Sequence, residues 1–210
     1  MLTASEIRNM VCRAEDGYQV TRDGARIVID PWYDEQLNPN SYNLRLSKNM
    51  RWYPGKKELD VRKKPNCTAH IIIPEDGFVL EPGELYLGCT IEYTESHGLI
   101  PMINGRSSLA RLGVSIHQTG GFGDIGFCGN WTLEITVIRP VRIYAGMEFA
   151  QLCWFKPDGK IDKVYEGKYQ NSKSDDPVGS RISNEFDRFD PRTAAGNKGG
   201  IDYRGDDNED

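Results

Sequence analysis

One acidic residue lies within a run that alternates apolar and polar side chains from Trp131 to Val137. Such alternation predicts a half-buried strand, with Glu134 on the polar face between Thr132 and Thr136. A carboxylate held there can take up and release protons in general acid–base chemistry. An ordinary solvent-exposed glutamate would give the same pattern, and the strand alone does not separate these two interpretations.

A second candidate segment reads Asn-Gly-Arg-Ser-Ser-Leu-Ala-Arg-Leu-Gly from Asn104 to Gly113. It predicts a short helix that begins near two serines and ends at Gly113. Backbone N–H groups at a helix N-terminus, together with Arg106 and Arg111, suit the binding of phosphate oxygens. A serine-capped helix with solvent-facing arginines remains the competing interpretation.

The third segment is rich in glycine and runs from Gly120 to Phe127 with a single acid, Asp124. Glycine lets the backbone approach a ligand or another strand closely. Asp124 is either a turn former or a ligand for a sugar hydroxyl, and the segment alone leaves both open.

These segments must be positioned by a fold, and the sequence predicts an all-β fold. The sequence contains 22 Gly and 11 Pro, and short β-rich runs alternate with turn signals, which is typical of a sandwich or barrel. Thr3 and Glu6 form a capping box that predicts one short N-terminal helix. Its apolar stripe comprises Ile7, Met10, Val11 and Ala14. The predicted strands are 27–29, 42–46, 70–73, 78–80, 85–90, 131–137, 141–144 and 149–155.

Charge and cysteine usage exclude several classes of protein. The net charge is −5, and residues 185–210 hold eight acidic and four basic side chains, so the preceding body is nearly neutral. A duplex-binding protein normally shows a basic stripe, so we expect no nucleic-acid polymer as partner. Five cysteines lie scattered without a Cys-x-x-Cys pair, and no long apolar run is present. We therefore expect reduced thiols, no zinc site, no membrane segment and a cytoplasmic location.

Taken in order, the three segments resemble the motifs of the dCTP deaminases of the dUTPase superfamily: Gly-Arg-Ser-Ser-Leu-Ala-Arg at 105–111, Gly-Phe-Gly-Asp-Ile-Gly-Phe at 121–127, and Trp-Thr-Leu-Glu-Ile at 131–135. Residues 35–46, 146–152 and 167–170 resemble further motifs of that family. The resemblance extends from about residue 2 to residue 182 and leaves out the acidic tail.

The resemblance implies a distorted antiparallel β-barrel of the dUTPase type with a short N-terminal helix, assembled as a homotrimer with active sites at subunit interfaces. The implied deaminase domain is 1–182, with a lid at about 160–182 that closes over the nucleotide. Residues 183–210 form an acidic tail that we expect to be disordered.

For the site residues, the resemblance implies that Glu134 shuttles protons while Ser107 and Arg111 position the water and stabilise developing charge. No zinc is implied, and Mg²⁺ arrives with the triphosphate. Asp124 would accept a hydrogen bond from the 3′-hydroxyl of the sugar. Triphosphate contacts are implied for Arg106, Ser108, Lys168 and Gln170. Further substrate contacts are implied for Leu109, Ala110, Thr132, Leu133, Gln151 and Tyr165.

The sequence departs from the family pattern at two places. Thr119-Gly120-Gly121 replaces the Thr-Ala-Gly expected from the family, and the loop between Tyr165 and Lys168 is short compared with that of the family. The implied activity converts dCTP into dUTP and ammonia, and the sequence leaves open a further step to dUMP and diphosphate. A dUTP diphosphatase without deaminase activity and a non-catalytic nucleotide-binding regulator are the alternatives. Feedback inhibition by dTTP is also expected from the resemblance.

Overall fold

The computed structural model describes residues 1–12, 24–53, 58–61, 69–172 and 176–181. Residues 1–55 and 67–178 form one compact unit, and the remainder are grouped as a second. Of that second unit, residues 58–61 and 179–181 are described and contain neither helix nor strand. The predicted tail at 183–210 lies outside the described residues, as does part of the predicted lid.

The described residues are mostly β, which confirms the predicted fold class. The helices are α1, Ala4–Met10, and α2, Ser107–Ala110, with a 3-10 turn at Asp34–Gln36. The strands are β1 Val11–Cys12, β2 Arg26–Asp30, β3 Leu37–Asn38, β4 Ser41–Arg45, β5 Asn49–Trp52, β6 Ala69–Ile72, β7 Phe78–Leu80, β8 Tyr86–His97, β9 Ile100–Gly105, β10 Val114–Ser115, β11 Cys128–Val137, β12 Val141–Ile143 and β13 Glu148–Phe155.

Within the described part of the chain the strands form three sheets rather than one closed barrel. The largest has seven strands and the order β1-β2-β8-β11-β10, with β5 joining β8 and β6 joining β5. A four-stranded sheet has the order β3-β4-β13-β9, and β7 pairs with β12. All pairs are antiparallel except β1 with β2. Both larger sheets contribute to one hydrophobic core that includes Leu44, Leu133, Phe149 and Trp154.

The N-terminal helix forms as predicted but is shorter. Glu6 Oε2 accepts a hydrogen bond from the Thr3 N–H at 3.0 Å, and Ile7 and Met10 are buried. The predicted continuation of the stripe to Val11 is wrong, because Val11 begins β1 and pairs with Ile27. Ala14 lies outside the described residues. No helix among the described residues is long and apolar enough to cross a membrane.

Strand β8 is longer than predicted, and its second half reverses the usual pattern. Glu92, Thr94 and Ser96 are fully buried, while the intervening side chains are only half-buried. The indole N–H of Trp131 donates to Thr94 Oγ1, and that of Trp154 donates to Ser96 Oγ. Because these buried hydroxyls have partners, a polar face can point inward without a large desolvation cost.

Candidate active site

Strand β11 presents Glu134 on the face that the sequence predicts. The apolar residues at positions 131, 133, 135 and 137 are buried, and Thr132, Glu134 and Thr136 are half-buried. Glu134 lies opposite Leu87 of β8, on the strand that precedes the terminal strand β10 in the seven-stranded sheet. The side chain is therefore carried by a paired strand rather than by a loop, which fixes its direction.

The segment after β10 holds the Glu134 carboxylate from one side. The Gln118 N–H donates to Glu134 Oε2 at 3.0 Å, and the Glu134 N–H donates to the Ile116 carbonyl at 2.8 Å. A Cβ on Gly120 would lie 3.4 Å from Glu134 Oε1. Oε1 accepts no hydrogen bond from the described residues, so it is available to a water molecule or a substrate N–H.

Helix α2 lies at the Glu134 end of β11, because it packs on β10 and β10 pairs with residues 136 and 137. Ser107, Ser108 and Ala110 are exposed, whereas the Leu109 side chain belongs to the core. The Arg111 guanidinium donates to the Ser107 carbonyl at 3.0 Å. Gly113 ends the turn with φ +84° and donates its N–H to Ala110, as predicted.

The dipole of helix α2, which was expected to help bind phosphate oxygens, is small because the helix has only four residues. A macrodipole arises from several aligned peptide units, so one turn supplies little of it. Attraction for a phosphate here would depend on the arginine charges and on the exposed hydroxyls of Ser107 and Ser108.

Arg106 is positioned by an ion pair across the four-stranded sheet. Its Nη1 lies 2.8 Å from Glu148 Oε2, and the Asn43 amide donates to the same oxygen at 2.9 Å. The Gln151 amide donates to the Gly105 carbonyl and accepts from Ser41. Arg106 and Gln151 thus lie together at one end of the four-stranded sheet, where β9 ends and β13 begins.

The glycine-rich segment runs along β9 and then turns at Asp124. The Phe127 N–H donates to the Asp124 carbonyl at 3.1 Å, and Gly126 has φ +88°, so the backbone forms a tight turn. A Cβ on Gly121 would lie 2.8 Å from the Ile103 carbonyl, and one on Gly123 2.5 Å from the Trp131 ring. These two glycines are thus required for close packing within the chain. Asp124 itself is exposed at the turn.

Residues 165–172 of the predicted lid lie along residues 125–130. The Tyr165 N–H donates to Ile125, and the Gln170 amide donates to the Gly126 and Tyr165 carbonyls while accepting from the Cys128 N–H. Because Gln170 has these three partners, a phosphate contact would require it to exchange at least one. The Lys168 ammonium lies 5.3 Å from the Tyr169 ring. The substrate contacts of Tyr165, Lys168 and Gln170 stay predictions.

Residues 176–178 lie on the polar face of β11 near Glu134. The Val178 N–H donates to Thr132 Oγ1 at 3.1 Å, and Asp176 forms an ion pair with Arg51 of β5.

The Leu133 side chain is in the core, so only its backbone is suited to a substrate contact.

Three residues that position the candidate site were not identified from the sequence. Gln118 holds Glu134 through its backbone N–H, and Glu148 and Asn43 orient Arg106. Glu148 and Asn43 fall inside segments that resemble family motifs, but their pairing depends on which strands are neighbours. A backbone donor such as the Gln118 N–H leaves no signal in residue type.

Comparison with known proteins identifies the family of this chain. A family model described as dCTP deaminase-like matches residues 13–156. A "dCTP deaminase, dUMP-forming" from Cytophaga hutchinsonii is 51% identical over 165 residues, covering 79% of this chain and 93% of that protein. One from Clostridium acetobutylicum is 53% identical over 154 residues, covering 73% and 88%.

The fold also matches a solved structure. The 2′-deoxycytidine 5′-triphosphate deaminase from Agrobacterium tumefaciens aligns with a TM-score of 0.50 and 21% identity over 73% of this chain. This chain spans about half of that protein, 46% of its length, so the likeness concerns the fold. With a family model that matches well over half of the sequence and relatives that align along most of their length, the chain belongs to the dCTP deaminase-like family.

Proposed function

We propose that this protein deaminates free dCTP to dUTP and ammonia and then hydrolyses dUTP to dUMP and diphosphate. The observation that carries the first step is Glu134, fixed through one carboxylate oxygen by the Gln118 N–H and open at the other. The second step is supported by relatives about half identical in sequence that bear the name dUMP-forming. Both substrates are free nucleotides, which is consistent with the expected cytoplasmic location.

In the proposed deamination, Glu134 accepts a proton from a water molecule as the oxygen attacks C4 of cytosine. The proton passes to N3 of the ring, and C4 becomes tetrahedral with a hydroxyl and an amino group. Glu134 then takes the hydroxyl proton and delivers it to the amino group, which leaves as ammonia while the C4 carbonyl forms. Ser107 and Arg111 lie at the same end of β11, where they can orient the water and stabilise the developing charge.

The substrate enters as its Mg²⁺ complex, and its triphosphate has candidate partners at the edge of the site. Arg106 is already held in place by Glu148 at 2.8 Å, so little side-chain entropy is lost when it binds a phosphate. The exposed hydroxyl of Ser108 adds a donor. Asp124 would bind the 3′-hydroxyl and, in the second step, activate the water that attacks the phosphate chain of dUTP.

We also propose that the protein acts as a homotrimer that completes its sites between copies. Leu112, Phe122 and Ile138 are 53%, 68% and 76% exposed and belong to the segments around α2, Gly121 and the end of β11. Exposed apolar side chains beside a polar site are typical of an interface. Light scattering after size exclusion tests the assembly. Replacing Ile138 by Glu should dissociate the trimer and remove activity, and a monomeric but fully active wild type would contradict the proposal.

The decisive experiment separates the two reactions by their products. The full chain is incubated with dCTP or with dUTP, and ammonia, dUTP, dUMP and diphosphate are resolved over time, with and without dTTP as the proposed inhibitor. We expect ammonia and dUMP in equal amounts from dCTP. Accumulating dUTP would mean that the protein is a deaminase only, and dUMP from dUTP without any ammonia from dCTP would mean a dUTP diphosphatase. No turnover of either substrate would indicate a nucleotide-binding regulator.

A matched pair of variants assigns the steps. Glu134→Gln should lower ammonia release by about a thousandfold and leave conversion of dUTP to dUMP measurable, because the amide cannot shuttle protons but keeps the shape of the site. Asp124→Asn should impair the dUTP step more than ammonia release. If both variants lose both reactions to the same extent, the division of labour between the two carboxylates is wrong.

A further inference from the structure

The sheet brings together a thiol, an imidazole and a carboxylate away from Glu134. Glu95 and His97 lie two residues apart on β8, so their side chains share one face, and Cys128 lies directly opposite Glu95 on β11. One ligand atom from each of the three lies within 4.8 Å of the others. His97 Nε2 is 2.7 Å from Glu95 Oε2.

The cluster is largely shielded from solvent. Cys128 is 7% exposed, and the side chains of Glu95 and His97 are 19% and 30% exposed. The Tyr93 hydroxyl donates to Glu95 Oε1 at 3.0 Å, which orients the carboxylate and leaves Oε2 directed at His97. Such outer partners are a common feature of sites in which a carboxylate and an imidazole bind the same ion.

A cation already lies against the same atoms. Arg26 of β2 is opposite His97, and its Nη2 lies 3.2 Å from His97 Nε2 and 3.9 Å from Glu95 Oε2. The position therefore favours positive charge, and an arriving metal ion would compete with the guanidinium for it.

We propose that Glu95, His97 and Cys128 form a binding site for a transition-metal ion of the Zn²⁺ type. Thiolate, imidazole and carboxylate are the ligands that Zn²⁺ prefers, and three protein ligands leave the fourth position to water. Mg²⁺ is excluded by the same ligand set, because it demands oxygen ligands. On binding, the Cys128 thiol loses its proton to solvent and its sulfur donates a lone pair to the metal.

The site is separate from the proposed catalytic carboxylate. Cys128 and Glu134 are six residues apart on β11, which corresponds to roughly 20 Å along an extended strand. The metal is thus not offered as the activator of the water that attacks cytosine.

Metal binding at Cys128 would reach the segment at 165–172 through the backbone. The Cys128 N–H donates to Gln170 Oε1, and the Asn171 N–H donates to the Cys128 carbonyl. A metal that immobilises Cys128 therefore stabilises the contact of this segment with β11. We expect slower amide hydrogen exchange at Asn171 when Zn²⁺ is added.

The test is a Co²⁺ titration of the metal-free full-length protein without nucleotide. Bound Co²⁺ should give a near-ultraviolet thiolate-to-cobalt band and visible bands of a four-coordinate ion. Zn²⁺ should abolish these bands, and excess Mg²⁺ should not. Absence of the thiolate band in the wild-type protein overturns the proposal.

Variants locate the ion. Cys128→Ser and His97→Gln should each weaken Co²⁺ binding by about a hundredfold, in line with the loss of a metal-site partner. Cys153→Ser is the matched control: that thiol is half-buried, donates to the Met102 carbonyl, and has its pKa raised by burial. A thiolate band that survives Cys128→Ser or vanishes with Cys153→Ser contradicts the assignment.

Arg26→Met provides a test in the opposite direction. Removal of the competing guanidinium should strengthen Co²⁺ binding by about tenfold, an electrostatic gain typical of a partly shielded site. Circular dichroism without metal confirms that each variant folds. If Cys128→Ser fails to fold, His97→Gln and Arg26→Met decide the question, because unchanged affinity in both rejects the site.

Discussion

Two glutamates on neighbouring strands of the same sheet have opposite environments. Glu92 on β8 is fully buried; its Oε1 accepts from the Arg45 guanidinium at 2.6 Å and from Gln36 at 3.0 Å, and its Oε2 accepts from the Arg45 N–H. Glu134 on β11 is half-buried, and its carboxylate receives a single hydrogen bond from the part of the chain that the structure describes, donated by the Gln118 N–H. Both are fixed by the sheet, and they differ in how many of their acceptor positions are filled.

The difference separates an architectural carboxylate from the one that we propose to be reactive. A carboxylate surrounded by donors on both oxygens has its acceptor positions filled by the protein, and the charge of Glu92 is paired with that of Arg45. A carboxylate that is oriented through one oxygen and open at the other can bind water and transfer its proton. Proton transfer therefore needs both a rigid strand and an unfilled acceptor.

Glu134→Gln should have the largest effect on the reaction and almost none on the fold. General acid–base catalysis typically contributes 10²–10⁴-fold, so ammonia release should fall by about a thousandfold. The free energy of unfolding should change by less than about 0.5 kcal/mol, since one backbone hydrogen bond to the side chain is retained. Product analysis and urea unfolding measure the two quantities. Residual activity above about a tenth of wild type would refute the role.

Glu92→Gln should have a large effect on stability and little effect on the reaction. Replacing one partner of a buried ion pair leaves Arg45 without its counter-charge, and we expect a loss of about 3 kcal/mol in the free energy of unfolding. At a temperature where the variant is folded, kcat should remain within about threefold of wild type. A stable Glu92→Gln protein with strongly reduced kcat would mean that both carboxylates serve the reaction, which would break the comparison.

The part of the fold that could be predicted is the part with ordinary binary patterns. Strand β11 and helix α1 place apolar residues where the period requires them. The second half of β8 could not be predicted, because Glu92, Thr94 and Ser96 face inward and are satisfied by residues far away in sequence. Those partners become visible only when the strands are paired.

The candidate site likewise has features that could be predicted from the sequence and features that could not. The polar face of β11 follows from alternation, so the direction of Glu134 was predictable. The ion pair between Arg106 and Glu148 and the meeting of His97 with Cys128 depend on strand neighbours and register, which local sequence does not encode. The close-packed roles of Gly121 and Gly123 were likewise hidden, because glycine has the same local signature beside a ligand and beside a strand.

Gly121→Ala should disturb the support of Glu134 without touching the carboxylate. The added methyl group would lie 2.8 Å from the Ile103 carbonyl and 3.0 Å from His117 Nε2. Because the carbonyl belongs to a paired strand, the loop must shift, and we expect a loss of about 2 kcal/mol in unfolding free energy. The midpoint temperature of thermal unfolding and the rate of ammonia release should both decrease. Unchanged values would show that the loop moves independently of β9.

Arg106→Ala should weaken substrate binding more than chemistry. Loss of a charge-assisted hydrogen bond to phosphate costs about 1.5 kcal/mol, so KM for dCTP should rise about tenfold with kcat within about threefold. Glu148→Gln is the control. It removes the ion-pair partner of Arg106, while Arg106 itself keeps its positive charge. If both variants raise KM equally, Arg106 acts through the packing of β9 and β13 and not through the phosphate.

Gly120→Ala should have the smallest effect and is the sharpest measure of how much space Glu134 has. The new methyl group would lie 3.4 Å from Oε1 and 3.6 Å from Oε2, a distance of ordinary van der Waals contact, and Gly120 does not adopt a positive φ. We expect a change below about 0.5 kcal/mol in stability and below about threefold in kcat. A much larger fall in kcat with unchanged stability would mean that the attacking water lies on the Gly120 side of the carboxylate, since the methyl group would displace it.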